Sequence, residues 1–411
     1  MTDAYDPYAA LKLPNFRLFL AGRLSFTLAL QIQAVIVSWQ IFDITKNPLS
    51  LGLIGLAEAI PSITVALYAG HVADITSRKK IITTVLAILI FCSASLLFFT
   101  LDLTPESLHN KVIPIYTIIF ISGAARGFLG PAVFSFMPQI IHDKKLYSNA
   151  VTWNSVLWQG GSVAGPALGG LIYAYFGVSA SYATDFSLTL ISLIVFSFIP
   201  SFPLPEIPAK QSVIKSLKEG IRFVFSNQII LSAISLDLFA VLFGGAVALL
   251  PIFASEILKT GPEGLGLMRA APSVGSALMM IYMTYNPMHK SAGKKMLFCV
   301  AGFGLCMILF GISKSFYFSL FILALSGAFD SISVIIRSTL IQLHTPESMK
   351  GRVSSVNNIF IGSSNEIGSF ESGVAAKLMG VVTSVVFGGG MTMAIVSFTA
   401  WKADQLRKLD L

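Results

Sequence analysis

Charge is what this 411-residue chain has least of: Asp, Glu, Lys and Arg together make up 12% of it. A soluble domain carries about a quarter charged residues, so a water-facing globular fold is excluded. Cysteine is almost as scarce. Cys92, Cys299 and Cys306 all lie inside apolar runs, and no Cys-x-x-Cys or Cys/His spacing points to redox or metal chemistry. Cys299 and Cys306 share one helical face, where packing is the ordinary role. No phosphate-binding loop and no nucleophile–base spacing stands in the sequence. Enzymatic and ATP-driven readings therefore have no footing, and no metal or cofactor is expected. A cleavable leader is not expected either: the apolar run from Phe16 to Phe42 is too long for a signal core and has no cleavage site.

What is abundant is apolar residues, 55% of the chain with a mean hydropathy of +0.77. They fall into twelve runs, about 17–42, 51–73, 81–101, 112–138, 149–176, 181–200, 228–254, 264–285, 295–313, 316–341, 352–376 and 381–401. Each is long enough to cross a hydrocarbon core of roughly 30 Å. The expected class is an all-α membrane protein with twelve transmembrane helices.

The net charge of +8 is not a nucleic-acid signal, because the cations sit at the ends of apolar runs. Loops after the even spans hold Arg78, Lys79, Lys80, Lys144, Lys145, Lys210, Lys215, Lys218, Arg222, Lys290, Lys294, Lys295, Lys350 and Arg352. Those after the odd spans hold Lys46, Lys111, Lys259 and Lys314. Cationic loops stay on the cytoplasmic side, so both termini are expected there, with membrane lipid as a partner. Ser201–Asn227 is the longest polar break and contains Pro203, Pro205 and Pro208. Its second half spaces Val213, Ile214, Leu217, Ile221 and Val224 as an amphipathic helix on the inner membrane surface. The expected division is a bundle over 1–200, a cytoplasmic linker over 201–227 and a second bundle over 228–411. Ser122–Gly123–Ala124–Ala125–Arg126 in span four matches Ser326–Gly327–Ala328–Phe329–Asp330 in span ten, as an internal duplication leaves behind. That match sets Arg126 and Asp330 at equivalent depths with opposite charge.

A charge at mid-membrane costs about 2.5–3.5 kcal/mol on insertion scales, so each one needs a reason. Arg23, Glu58, Arg126, Asp185, Asp237, Arg269, Asp330, Arg337, Glu366 and Glu371 all fall in the spans. Some must pair and some must face water. Arg126 keeps its proton, so it either holds a carboxylate in a buried structural pair or tunes a neighbouring acid. The acids that can exchange a proton are Asp330 and Glu366, then Asp237, Glu58 and Asp185. Asp237 and Arg269 read as isolated polar points, and Glu371 as an acid with a structural partner. Span eleven carries Asn358, Gly362, Asn365, Ser369 and Ser372 three or four residues apart, one stripe that cannot face lipid. It faces a cavity or a neighbouring helix. Trp39, Phe134, Trp153, Trp158 and Tyr282 either pack or stack on a flat or cationic substrate. His71, His142, His289 and His344 fall at the loop edge and read as loop residues.

Two patterns carry more. Gly161, Gly165, Pro166, Gly169 and Gly170 in span five make a smooth face for a close helix crossing, with a kink at the proline. Gly70, Asp74 and Arg78, followed by Lys79 and Lys80, sit between spans two and three. An acid four residues before an arginine pairs with it across one turn.

With Asn15–Phe16–Arg17 before span one and Arg126-x-x-x-Gly130 in span four, these patterns resemble the major facilitator superfamily of secondary transporters. The loop departs from that family's usual form, with Ile75 and Ser77 where arginine and glycine are common. The Gly161–Gly170 spacing is similar to the antiporter motif of the export branches, although Thr152 replaces an upstream glycine. The whole chain is most like the bacterial branch of macrolide and enterobactin-type siderophore exporters. The resemblance implies two pseudo-symmetric six-helix bundles around a central cavity, working as a monomer in the bacterial inner membrane. It also implies a conformational latch made by Gly70, Asp74 and Arg78, with Asp143 as a third charged member. Proton coupling through Arg126 follows from the same resemblance. The expected function is proton-coupled antiport exporting a small amphipathic molecule, a drug or a siderophore. The alternative is a uniporter or importer of a metabolite, an inorganic ion or a lipid-like molecule.

Overall fold

The structure, a computed structural model, describes residues 6–101, 112–141, 143–203, 213–286, 291–346, 349–403 and 407. Within its helices the side chains of 66, 67, 70, 71, 73, 74, 144, 213–217, 351, 355 and 358 lie outside the description. Gly70, Asp74 and Asn358 are among them, so their backbones are helical but their side chains are not described.

Helices account for the fold, and no strand occurs among the described residues. Six precede residue 227: α1 (Pro14–Thr45), α2 (Pro48–Ile75), α3 (Arg78–Phe98), α4 (Val112–Ile140), α5 (Tyr147–Phe198) and α6 (Val213–Ser226). Six follow: α7 (Gln228–Gly244), α8 (Gly261–Tyr285), α9 (Ala292–Ile312), α10 (Phe316–His344), α11 (Lys350–Met379) and α12 (Val381–Lys402). Ten described helices are long and apolar enough to cross a membrane. The α5 run is two such spans joined at Gly177, whose φ of 81° only glycine adopts freely. With α5 taken as two arms and the more polar α11 added, the span pattern read from the apolar runs is reproduced.

The chain separates into two compact units, Met1–Val37 with Ile60–Lys210, and Ser38–Ala59 with Gln211–Leu411. The facing ends of α1 and α2 thus belong to the second unit. In lipid, apolar burial gives helices little reason to associate, so close packing has to hold them. The first unit packs Phe16, Phe19, Ile82, Leu86, Phe136 and Phe196, with Phe19 edge-on to Phe196 at 6.0 Å. The second packs Ala233, Leu236, Met296, Val300, Ile332, Ile336 and Leu340. Glycines bring its backbones together: Gly275 of α8 meets the Ala324 carbonyl of α10, and Gly327 of α10 meets the Pro272 carbonyl of α8.

Two features refine the expected picture. The apolar run 228–254 is not one helix, because α7 stops at Gly244–Gly245 and short helical turns continue over 247–257. Broken backbone at membrane depth needs replacement hydrogen bonds, and Ser372 Oγ of α11 donates to the Gly245 carbonyl at 2.9 Å. The helix α6 does form, capped off by Asn227, whose side chain accepts from the Ile229 and Ile230 amides at the start of α7. It is docked rather than simply adsorbed: Val224 is fully buried among Ile230, Ile234, Ile341, Val353 and Val356, and Glu219 pairs with Arg352 of α11.

Candidate functional site

The in-membrane charges gather into separate groups within each unit. In the first, the second arm of α5 buries Asp185 to 1% exposure. Gln33 Nε2 of α1 donates to Asp185 Oδ2 at 3.1 Å, Ser93 of α3 donates a second hydrogen bond, and the Arg126 charge of α4 lies within electrostatic reach. Four helices thereby share one polar knot, the arrangement that makes a buried carboxylate tolerable. Arg23 of α1 finds another solution and sits 5.7 Å over the Trp158 ring.

In the second unit Asp237 of α7 and Arg337 of α10 form a buried ion pair. Asp237 is therefore not an isolated polar point: α7 and α10 pack side by side, a neighbourhood that sequence spacing does not encode. Asp330 lies half-buried on the same helix as Arg337. Arg269 of α8 is not isolated either, since the charges of Glu58 on α2 and Glu366 on α11 act on it. Glu366 Oε2 lies 3.3 Å from where a Cβ on Gly55 would sit, one turn from Glu58. Glu371 is half-buried elsewhere on α11.

The stripe on α11 divides. Ser372 is buried and closes the break in α7, Ser369 bonds to the Asn365 carbonyl of its own helix, and Gly362 and Asn365 are exposed. In the loop motif, Arg78 is 5% exposed at the first turn of α3, and among the described residues its Nε and Nη1 find no hydrogen-bond partner. Asp143 is exposed and turns inward on its own loop, accepting from the Lys145 amide at 2.9 Å.

The span-five glycines face α1. A Cβ on Gly161 would lie 2.7 Å from Thr27 Cγ2, one on Gly165 2.5 Å from Gln31 Cβ, and one on Gly169 3.1 Å from Ile32 Cα. Gly170 and Pro166 are buried in the same stretch. Residues at i, i+4 and i+8 hold one helix face, so the three contacts form a continuous seam.

One arrangement was not legible beforehand. The segment before α1 folds across the start of α5, where Asn149 binds the Ala10 amide and the Pro7 carbonyl, and Trp153 Nε1 donates to the same carbonyl at 2.9 Å. Trp153 also packs on Tyr8 at 5.8 Å, which accounts for it without a substrate. The only available signal was the spacing of Asn149 and Trp153, one turn apart at a helix start.

The sequence matches the family described as transmembrane secretion effector over residues 5–410, almost its whole length. The chain belongs to this family of major facilitator transporters. It is a multi-pass membrane transporter, not an enzyme. It is similar to the enterobactin exporter EntS of Citrobacter koseri, 26% identical over 382 residues that cover 92% of this chain and 90% of that one. Among solved structures, the POT family transporter PepTSo superposes with a TM-score of 0.74 at 14% identity, covering 97% of this chain and 99% of that one. A D-xylose–proton symporter gives a TM-score of 0.73 at 14% identity, covering 98% and 100%. At such identities these structures speak for the fold alone: the transporter has the major facilitator architecture.

Proposed function

We propose that this transporter is a proton-coupled antiporter that exports a small amphipathic molecule, of the siderophore or drug class, by alternating access. The observation that carries the reading is the seam of Gly161, Gly165 and Gly169 on α1. It gives the antiporter-type glycine–proline pattern a physical role, a tight contact between α1 and the first arm of α5. Similarity to enterobactin exporters over most of the chain supports the outward direction. Mid-membrane acids supply groups able to carry protons. The transporter sits in the bacterial inner membrane with both termini in the cytoplasm, as the loop cations favour. The two moving halves are 1–200, less the corner 38–59 that packs with the second unit, and 228–411, joined by 201–227. Arg126 supplies a counter-charge to Asp185 inside the first unit, and Gly70, Asp74, Arg78 and Asp143 form the cytoplasmic latch.

The test is accumulation of enterobactin and of the flat cationic dye ethidium in inverted vesicles, with and without a pH gradient. Accumulation that stops when the gradient is collapsed supports antiport. Accumulation indifferent to the gradient replaces it with a uniporter.

A further inference from the structure

We infer that Glu58, Arg269 and Glu366 form the proton-binding site of the transporter, with one exchangeable proton shared by two carboxylates over a single guanidinium. This rests on the proton-coupled reading above and assigns its coupling ion to particular atoms.

The three residues come from α2, α8 and α11 of one compact unit. The charges of Glu58 and Glu366 both act on Arg269. Contact between α2 and α11 is close because both present glycine: a Cβ on Gly52 would lie 3.1 Å from the Phe370 backbone, and one on Gly373 3.0 Å from the Pro48 carbonyl. That approach lets the Glu366 carboxylate lie against Gly55, one turn before Glu58. Depth agrees as well. At 1.5 Å per residue, Glu58 is about 15 Å from the start of α2, Arg269 about 12 Å from the start of α8, and Glu366 about 20 Å from the end of α11. These helices are longer than a hydrocarbon core of roughly 30 Å, so all three residues lie within it at similar distances from a helix end.

Charge counting then separates this cluster from the other acid–base groups, while Asp330 of α10, the helix packed on α8, is a single acid and not a pair that can share a proton. Asp237 with Arg337 is one acid to one base, and that pair is neutral without a proton. Asp185 is held by Gln33 and Ser93 as well as by the Arg126 charge. The Arg269 cluster has two acids to one base. It is neutral with a proton bound and carries a net negative charge without one, and a net charge at this depth is costly. Binding a proton from one side and releasing it to the other therefore changes the charge of the site as the transporter switches. The proton belongs to the pair and not to either acid. Other titratable groups on these helices lie apart: Glu371 is about 140° around α11 from Glu366, and Glu263 is exposed in the first turn of α8.

The substitutions Glu58→Gln and Glu366→Gln each leave a neutral acid–base pair, so both variants are expected to fold. In proteoliposomes with ethidium as the probe, each loses accumulation driven by a pH gradient, while Glu371→Gln keeps it and Glu366→Asp recovers part of it. In detergent without any substrate, an indicator dye registers proton uptake by the wild type on acidification, and that uptake falls in both variants. If Glu366→Gln does not fold, proton uptake by Glu58→Gln decides the matter. Gradient-driven accumulation that persists in both glutamine variants overturns the assignment alone. Wild-type transport indifferent to the gradient overturns it together with the antiport reading.

Discussion

Arg337 of α10 takes its counter-charge from Asp237 of α7, not from Asp330 two turns earlier on its own helix. Both partners are almost fully buried, Arg337 at 3% exposure and Asp237 at 6%. Breaking a buried pair by removing one member strands the other charge, at a cost of about 3–5 kcal/mol. Asp237→Ala should therefore lower the unfolding temperature in detergent markedly. Asp237→Leu with Arg337→Met should recover most of that loss. A double variant no more stable than the single one would show that the pair is not the source of the effect.

The glycine seam makes a sharper geometric prediction. A methyl group at Gly165 meets Gln31 Cβ at 2.5 Å, a distance at which α1 must shift. Gly160, one residue before the seam, has open space around a Cβ. Overpacking of this kind costs about 1–3 kcal/mol, so Gly165→Ala should be clearly less thermostable than wild type while Gly160→Ala is unchanged. Equal melting of the two variants would contradict the seam.

The contrast between these two sites shows which parts of the molecule are legible in the sequence. Gly161, Gly165 and Gly169 lie on one face by spacing alone, so a close helix crossing was readable before its partner was known. The spans were readable for a similar reason, since length and apolarity are local properties. Asp237 and Arg337 are a hundred residues apart, and their meeting depends on which helices become neighbours. The break in α7 was hidden because Gly244 and Gly245 interrupt neither length nor apolarity, and the bond from Ser372 that helps satisfy it comes from a distant helix. The Glu58–Arg269–Glu366 group combines both cases: each charge was visible as an exception in an apolar run, but their grouping was not.

The N-terminal segment was the least legible part, because it has no apolar periodicity and its partner is Asn149. The Asn149 amide uses both ends, accepting from the Ala10 amide at 3.1 Å and donating to the Pro7 carbonyl at 2.6 Å. Asn149→Leu removes both bonds and leaves the Ala10 amide buried without a partner, a loss of about 1–3 kcal/mol at that contact. Amide hydrogen exchange at residues 8–13 should rise in this variant while exchange in α3 and α4 stays unchanged. Unaltered protection over 8–13 would mean that Asn149 does not hold the segment.

The same segment should respond to pH through Asp6. The hydrogen bond from Lys12, with Nζ 2.6 Å from Oδ2, and a second from the Tyr8 amide hold the Asp6 carboxyl below its ordinary value of 3.8. A carboxyl depressed in the docked segment binds its proton more readily once the segment is released. Its contribution to docking is therefore complete above the ordinary value and disappears as pH falls through the lower, docked value. Hydrogen exchange at residues 8–13, corrected for intrinsic rates, should be flat from neutral pH down to about 4 and rise below it. Asp6→Asn removes the titrating group, so its corrected exchange should show no such rise in the acid range. A rise of the same size in Asp6→Asn would assign the acid sensitivity to another group.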